Sequence, residues 1–590
     1  MTGGKSGSGG DAAGADDTGD GGSDVGVAGQ SDGAGKNGGG ASANGGSSGS
    51  AGNGGSAGTD TNGMAGSAGD GGAGGTPIIT GPQPIQFTVN GSQNVHAISP
   101  LIYGANVDGL VCNDAKARFS FCRARSSALS TYNWENNASN RGNGDCNQNS
   151  DSLSASDDPG VAVTDLIDQA DGMGASTIVT VPMLDHVALD KISGTPAPDC
   201  SGDVSKSADY LNTRFAKNRA RKGSALSLTP DTADGFVNQD EFVAFLKDGY
   251  GSSPLLFSLD QQPELWVGEH PRLRATKLTY DEEVNLTVEY AKMIKDGWAD
   301  AEVLGLVGYG YLAAINQQIS PDFDTKGQFV SYFLKKLAAA SATDKRRLLD
   351  YVDLHWFAEI YAGPSNTRII GEESDPASVA ARVQAPRELW DPDFVEQSWI
   401  TDLRNGEPLQ LLDLLQGAID DNYPGTKLAI SEWSYGGGKH ISGAVAAADA
   451  LGIFGQKSVS LAGAVSFSPN SEPYLVGAFE AYRNYDGQGH GFGDTSVAAS
   501  SSNVQLGSIY ASINEADAKQ MVLVAINRYD DELDATIEIA HSAAYQSITP
   551  YVISDGHPDP VAGDAVAATS TNHFALKLPP YTVTILVPSE

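Results

Sequence analysis

The sequence predicts an α/β protein in which a (β/α)8 TIM-like barrel is followed by a C-terminal antiparallel β-sandwich and preceded by a disordered Gly-rich tail. Eight short apolar runs recur between helical or long loop segments, and β-rich runs with turn residues follow from about Val504. The start of the chain lacks the composition of a packed core. We therefore expect four segments: a linker over 1–77, N-terminal strands in 78–98 that join the sandwich, a barrel over 99–500 and the sandwich over 501–590.

The barrel is predicted from the alternation of strands and helices, which implies a parallel sheet. Thr279 and Glu282 form a capping box that predicts a helix as far as about Trp298. Phe329 and Phe333 belong to an amphipathic helical pattern. The eight predicted strands are 101–105, 119–124, 177–182, 255–259, 303–307, 352–356, 428–431 and 462–467.

The first 77 residues form a compositionally distinct segment. They hold 30 of the 71 glycines, and no aromatic residue occurs before Phe87. Such a segment cannot bury enough apolar surface to offset its chain entropy. The sequence therefore predicts a flexible linker that contributes nothing to the core.

The charge of the chain limits its partners. Lys and Arg total 37 against 73 Asp and Glu, which gives a formal net charge of -36. A chain of this charge should be soluble and should avoid nucleic acid and anionic membrane surfaces. No stretch is long enough to span a membrane. A neutral polysaccharide remains a compatible partner, and we expect a monomer.

Four cysteines, Cys112, Cys122, Cys146 and Cys200, fall within one region. An even number suits two disulfides, most simply Cys112–Cys122 and Cys146–Cys200 by proximity in sequence. A metal cluster is the alternative, but there is no Cys-x-x-Cys pair and no nearby His at ligand spacing. Disulfides favour an extracellular or surface-tethered protein, with a signal peptide upstream of the given sequence.

The stretch from Lys427 to His440 contains the first candidate catalytic residue. Leu428, Ala429 and Ile430 suit a strand that is buried on both faces, and the run stops at Glu432 before three glycines. Side chains at the C-terminal ends of parallel barrel strands line the active-site mouth. A solvated glutamate at a strand end is the alternative, but the flanking aromatics and glycines favour a functional role.

Other residues suggest sugar binding, because aromatic faces cover sugar C–H surfaces and amides or carboxylates bind hydroxyls. One loop packs several such side chains between Thr131 and Asn140, and His355 ends the sixth predicted strand. We assign His355 a positioning role. The predicted substrate-binding residues are Tyr132, Trp134, Glu135, Asn136, His355, Trp356, Tyr435 and Trp390.

Two motifs carry a resemblance to a known family. The string Tyr-Asn-Trp-Glu-Asn-Asn from Tyr132, and the Glu-Trp-Ser-Tyr-Gly-Gly-Gly and His-Ile-Ser-Gly blocks between Ser431 and Gly443, resemble glycoside hydrolase family 44. That family comprises endo-β-1,4-glucanases, including xyloglucan-active members. The resemblance covers about residues 85–590. It implies a barrel beside a small β-domain that both chain ends build, a β-1,4-glucan partner and Glu432 as the nucleophile.

The resemblance implies no required cofactor, although family members carry a structural calcium ion. No Asp-rich loop with the ligand spacing of a calcium site stands out in this sequence. The metal site is therefore left unassigned.

The chain departs from the family pattern in two places. The family reads Asp-Asn-Glu-Pro after the fourth strand, with Glu as the acid/base, whereas this chain has Gln262 at that position. An amide cannot supply a proton to a leaving oxygen. The family's Arg-x-Gly-Gly-Asn after the second strand becomes Arg123-Ala-Arg125-Ser126-Ser127.

Three interpretations follow from these departures. The first is a retaining endoglucanase, impaired unless Asp260 or Glu264 replaces the lost donor; each is two residues away, which displaces its carboxyl by about 6–7 Å. The alternative is a non-catalytic extracellular glucan-binding protein. A structural domain without sugar contact fits poorly with the retained loop at Tyr132.

Overall fold

The computed structural model describes residues 81–107, 112, 116–465 and 471–590. The predicted linker over 1–77 lies outside these residues.

The eight predicted runs form a closed, parallel eight-stranded barrel, which confirms the predicted fold class. Observed and predicted strands agree within a few residues. The last run gives a shorter strand, and its predicted end lies outside the described residues. In chain order, barrel strands 1 to 8 are Gly104–Val107, Phe121–Ala124, Ser176–Val181, Leu255–Leu259, Glu302–Tyr309, Tyr351–Phe357, Lys427–Ser434 and Leu461–Ala464.

One layer of side chains fills the barrel interior. Seven strands each contribute one buried residue to it: Phe121, Ile178, Leu256, Leu304, Tyr351, Ala429 and Leu461. Strand 1 has Gly104 beside this layer, where a Cβ atom would lie 2.0 Å from Cε1 of Phe121. Because a side chain at Gly104 would displace that ring, the glycine allows strands 1 and 2 to pack closely.

Helices surround the barrel, and the capping box at Thr279 and Glu282 is present as predicted. The helices are Val161–Met173, Tyr210–Thr213, Gln239–Tyr250, Trp266–Glu269, Tyr280–Gly297, Gly310–Asn316, Phe323–Lys326, Phe329–Asp344, Pro376–Gln384, Trp399–Leu403, Leu411–Asn422, Ile441–Gln456 and Pro473–Arg483. Short 3-10 helices are Pro100–Ile102, Ser127–Thr131, Asn143–Asp145, Val204–Lys206, Pro263–Leu265 and Ala385–Leu389.

Small sheets form within the segments that connect the barrel strands. Three strands form one sheet: His186–Ala188, Phe215–Arg219 and Phe236–Asn238. Two short pairs are Ser139–Asn140 with Asn149–Ser150, and Tyr361–Ala362 with Thr367–Arg368.

The remaining eleven strands form one curled sheet, as expected for the C-terminal region. All its pairs are antiparallel except the parallel pair of Gln83–Asn90 with Leu533–Ala540. The inner face encloses its own core, with Phe87, Leu523 and Ile537 among its members. The strands are Gln83–Asn90, His96–Ala97, Thr495–Ser501, Gly507–Asn514, Asp517–Asn527, Leu533–Ala540, Ser547–Ser554, His557–Ala562, Val566–Ala567, His573–Leu578 and Thr582–Ser589.

A buried ion pair joins the curled sheet to the barrel. Asp449, on helix Ile441–Gln456, accepts hydrogen bonds from Arg528 Nη2 at 2.6 and 2.7 Å. Ser508 and Tyr510 donate to the same carboxylate at 2.6 and 2.7 Å. Both charged side chains are fully buried, so this carboxylate is a buried polar anchor between the two parts.

Both predicted disulfides are present, Cys112–Cys122 and Cys146–Cys200. Among the described residues, no helix has the length and apolarity needed to cross a membrane.

Candidate active site

Glu432 reaches the barrel mouth because strand 7 carries an extra residue. Asp353 pairs with Ala429 and His355 pairs with Glu432, so strand 7 has one residue more than strand 6 between the two pairs. A bulge of this kind re-aims the side chains beside it. Here it turns both Ser431 and Glu432 toward strand 6.

The two carboxylate oxygens of Glu432 have different environments. Oε1 accepts hydrogen bonds from Arg123 Nη1 at 2.6 Å and from Gln261 Nε2 at 2.8 Å. Oε2 accepts no hydrogen bond from the residues that the structure describes; it lies 3.5 Å from His355 Nδ1 and 3.8 Å from Arg125 Nε. Oε1 is therefore held in place, and Oε2 remains available to react.

The surroundings keep Glu432 ionised. Burial raises the pKa of its carboxyl, but His355, Arg123, Arg125 and the Gln261 hydrogen bond together lower that pKa to about 2. Burial lowers the pKa of His355, against the opposite effect of the Glu432 and Asp353 carboxylates. The carboxylate is therefore in the ionised state that a nucleophile needs.

The end of strand 4 is held in an unusual backbone conformation. Asp260 and Gln262 have φ values of 67° and 51°, and Leu306 and Val307 on strand 5 have 77° and 46°. Val307 accepts a hydrogen bond from the Gln262 backbone at 3.1 Å. Left-handed conformations cost of order 1–3 kcal/mol each in such residues and cluster at functional sites. Strand 5 has a bulge between Leu306 and Gly308, and the hydrogen bond from Gln262 to this bulge sets the position of Gln262.

Gln262 and Glu432 both approach His355. Ser431 donates its hydroxyl proton to Asp353 at 2.6 Å and therefore accepts from His355 Nε2 at 3.1 Å. Nδ1 is then unprotonated and accepts from Gln262 Nε2 at 2.7 Å. Since Nδ1 lies 3.5 Å from Glu432 Oε2, the Gln262 amide and the Glu432 carboxylate are at most about 6 Å apart. That bound is compatible with the roughly 5–5.5 Å between the two carboxyls of retaining glycosidases.

The two acids that flank Gln262 point elsewhere. Fully buried Asp260 accepts from Ser130, Met183, Trp266 and Gln261 at 2.5 to 3.0 Å. Glu264 accepts from the Tyr309 backbone at 2.6 Å. Burial and Asp260 raise the pKa of Glu264 to about 7, against the lowering by backbone hydrogen bonds. Because both carboxyls are committed to these contacts, neither substitutes for a donor at Gln262.

The loop from Tyr132 to Asn136 is scaffold in this structure. The Trp134 side chain has no exposed surface and stacks on Phe242 at 5.7 Å. Tyr132 donates to Asn137 at 2.8 Å, and Asn136 donates to the Leu189 carbonyl at 2.9 Å. A buried ring offers no face to a sugar, which corrects the prediction of an aromatic platform at Trp134.

Glu135 is buried in the same loop. Burial and the nearby Asp234, Glu241 and Asp231 raise its pKa to about 8. No contact links this carboxyl to Glu432, so the structure does not place Glu135 in the candidate site.

Of the remaining predicted binding residues, only His355 lies beside Glu432. Trp356 points to the outside of the barrel, as alternation from His355 requires, and donates to Glu388 at 2.6 Å. Tyr435 is buried beside Trp433. The Trp390 ring lies 5.8 Å from Nζ of Lys457, against the outer helix layer. These three side chains support the strands and do not line the mouth.

A different aromatic pair faces the mouth. Tyr309 ends strand 5 in register with His355, and neighbours in register on parallel strands share a face. The half-buried Tyr309 ring stacks on Phe357 at 5.5 Å and 26°. Sequence reasoning missed this pair because each residue follows an apolar run, and its sequence pattern is the same as that of a residue packed in the core.

Sequence reasoning assigned no role to the polar residues that lie beneath Glu432. Arg123 and Asn106 are fully buried within strands 2 and 1, and Arg123 Nη1 donates to Asn106 at 3.2 Å. Gln261 donates to Glu432 from the end of strand 4. The indication available in the sequence was a charged or amide residue inside an otherwise apolar strand.

The expected calcium ion has no identified site. Within the described ranges, no group of three or more His, Cys, Asp and Glu side chains has an arrangement that could hold a metal ion. No chemistry is assigned to a metal here.

The sequence profile described as glycoside hydrolase family 44 matches residues 126–360. The chain is 35% identical over 514 residues to endoglucanase A of Paenibacillus lautus, which spans 84% of this chain and 71% of that protein. The chain belongs to glycoside hydrolase family 44. It is also 35% identical over 528 residues to beta-mannanase/endoglucanase A of Caldicellulosiruptor saccharolyticus, and there the match spans only 38% of the relative.

Solved family 44 structures share the fold. A Paenibacillus polymyxa xyloglucanase, determined with xyloglucan, superimposes with a TM-score of 0.80 at 32% identity. The Clostridium thermocellum endoglucanase Cel44A gives 0.79, also at 32% identity. Each match covers 86% of this chain and 100% of the solved chain. The barrel with its curled sheet is thus the family 44 architecture.

Proposed function

We propose that this protein is a secreted or surface-tethered, monomeric family 44 protein that holds β-1,4-glucans of the cellulose or xyloglucan type at the barrel mouth. In this proposal Glu432 is the nucleophile of a retaining mechanism and Gln262 occupies the acid/base position. The observation that carries it is the approach of both side chains to the same nitrogen of His355, at 3.5 and 2.7 Å.

The proposed chemistry is incomplete for a polymer. Glu432 Oε2 attacks the anomeric carbon and forms an ester, while the bond from that carbon to the leaving oxygen breaks and its electron pair departs with the oxygen. A sugar hydroxyl is a poor leaving group unless it receives a proton, and the Gln262 amide donates hydrogen bonds but no proton. The same amide cannot take a proton from the water that should release the glycosyl ester.

A leaving group that needs no proton should reveal the nucleophile. We expect an aryl cellobioside with an acidic phenol to release its phenol slowly and to leave a glycosyl adduct on Glu432, detectable by mass spectrometry. Glu432→Gln should abolish both the release and the adduct, because an amide cannot attack. Phenol release that persists in Glu432→Gln would remove Glu432 from the mechanism.

A second candidate function is glucan binding without turnover. It is favoured by the Gln262 amide, which contacts His355 at 2.7 Å and can hydrogen-bond a sugar hydroxyl but supplies no proton. Oligosaccharide binding with no phenol release and no adduct would select this function over the impaired enzyme.

The aromatic pair offers a test of glucan binding. Tyr309→Ala should weaken the binding of cello-oligosaccharides by more than ten-fold, a loss that needs only about 1.4 kcal/mol, while Tyr309→Phe should retain binding. Calorimetric titration measures the effect. The matched control is Tyr551→Ala, which removes a half-buried tyrosine of the curled sheet whose ring lies 5.0 Å from that of Tyr485. Equal affinities for Tyr309→Ala and the unmodified chain would exclude a platform at Tyr309.

A further inference from the structure

Arg125 is the exposed charge beside the reactive oxygen. Its side chain is 37% exposed, against 1% for Glu432, and its Nε lies 3.8 Å from Oε2. Within the part of the chain that the structure describes, its guanidinium forms no hydrogen bond; only its backbone N–H does, to Val107. A cation with unused donors therefore stands where a ligand of Glu432 must enter.

Two other charged side chains near Glu432, Arg123 and Asp353, are fully buried and hydrogen-bonded. Arg123 is fully buried and binds Glu432 and Asn106. Asp353 accepts from both the backbone and the hydroxyl of Ser431, at 2.9 and 2.6 Å. Of these three charged side chains, Arg125 is the exposed one.

A sugar placed for reaction must cover Arg125. Reacting atoms stand about 3–3.5 Å apart in a near-attack geometry, which brings the sugar ring to Oε2 and into the space beside the guanidinium. Covering a guanidinium without hydrogen bonds is costly, whereas a carboxylate pairs with it through two parallel charge-assisted bonds. Glu432 also loses its charge once it is esterified, so the arginines then need another anion.

We propose that the sugar bound next to Glu432 carries a carboxylate, as in a β-1,4-linked glucuronate residue, and that Arg125 is the residue that selects it. This inference rests on the proposed binding of β-1,4-glycans at the same site. The overall charge of -36 is no obstacle, since exposed charges beyond about 8–10 Å are largely screened at physiological salt.

The test compares two tetrasaccharides on the full chain at pH 7 by calorimetric titration: cellotetraose and its C6-oxidised counterpart, the β-1,4-glucuronate tetramer. We expect the acidic tetramer to bind at least ten-fold more tightly. Arg125→Gly should remove this preference, and Arg125→Lys should keep only part of it, because an ammonium lacks the bidentate fork.

The outcomes separate this inference from the proposed function. Equal or tighter binding of cellotetraose by the unmodified chain, or a preference for the acidic tetramer that survives Arg125→Gly, overturns the role of Arg125 and leaves glucan binding intact. Binding of neither tetramer overturns both proposals. Arg141→Gly, which removes a half-buried arginine paired with Asp145, is the matched control and should keep the preference.

Discussion

Gln262→Glu is expected to raise the turnover of polymeric β-1,4-glucan by about 10²–10⁴-fold over the unmodified chain, the usual contribution of a general acid. The new carboxyl would replace an amide that contacts His355 Nδ1 and lies within about 6 Å of Glu432. Repulsion from the ionised Glu432 should raise the pKa of the new carboxyl and keep it protonated for donation. Reducing-end release from soluble glucan measures the gain.

Two variants control this experiment. Gln262→Asn keeps an amide and should gain nothing, and Gln262→Glu combined with Glu432→Gln should be inactive because the nucleophile is gone.

If Arg125 restricts entry of a neutral glucan, adding Arg125→Gly to Gln262→Glu should raise the rate further. The proposal of a lost acid fails if the unmodified chain already cleaves glucan at ordinary rates and Gln262→Ala is equally active.

Asp449→Ala is expected to lower the free energy of unfolding by about 3–5 kcal/mol, because it leaves the Arg528 cation buried without its partner. Ser508 and Tyr510 would also lose the acceptor of their hydrogen bonds. Urea unfolding followed by tryptophan fluorescence measures the change.

The control for this prediction is an exposed ion pair in the same sheet. Lys519 and Glu590 lie 2.9 Å apart at the surface, and Lys519→Ala should cost no more than about 1 kcal/mol. If Asp449→Ala costs no more than the control, the buried pair does not anchor the sheet to the barrel.

The barrel was predictable because its determinants are local. Each strand is a short apolar run, and features such as the Thr279 capping box mark the helices between them. The curled sheet was predictable for the same reason. The parallel register of Gln83–Asn90 with Leu533–Ala540 was not, because it joins segments that nothing in the local sequence connects.

The places of Glu432 and His355 in the candidate site were predictable from the sequence, and the surroundings of these residues were not. Glu432 and His355 end buried strands, so their place at the mouth follows from the fold. Trp134 sits in a polar loop that reads as exposed, but Phe242, about a hundred residues later, covers its ring. Burial of that kind depends on tertiary packing and not on the loop's own sequence.

The position of Arg125 relative to Glu432 could not be predicted from the sequence. Its charge in place of a glycine was evident, but its 3.8 Å approach to Glu432 Oε2 depends on how strands 2 and 7 face each other. The bulge that turns Glu432 inward likewise has no local sequence mark, since Ile430, Ser431 and Glu432 are also compatible with a regular strand.

The parallel pairing of Gln83–Asn90 can form only late in synthesis. Its partner Leu533–Ala540 leaves the ribosome about 440 residues later, which takes roughly 20–90 s at 5–20 residues per second. The antiparallel partner on the other side, Thr495–Ser501, emerges only slightly earlier. During translation the strand therefore exposes Ile85, Phe87 and Val89 with both edges unpaired, while the barrel residues that follow it can already begin to pack. Nascent chains from which Leu461–Ala464 has emerged but Thr495–Ser501 has not would carry the barrel strands and an open β-strand on the same molecule. That strand is where we expect chaperone binding or aggregation during expression.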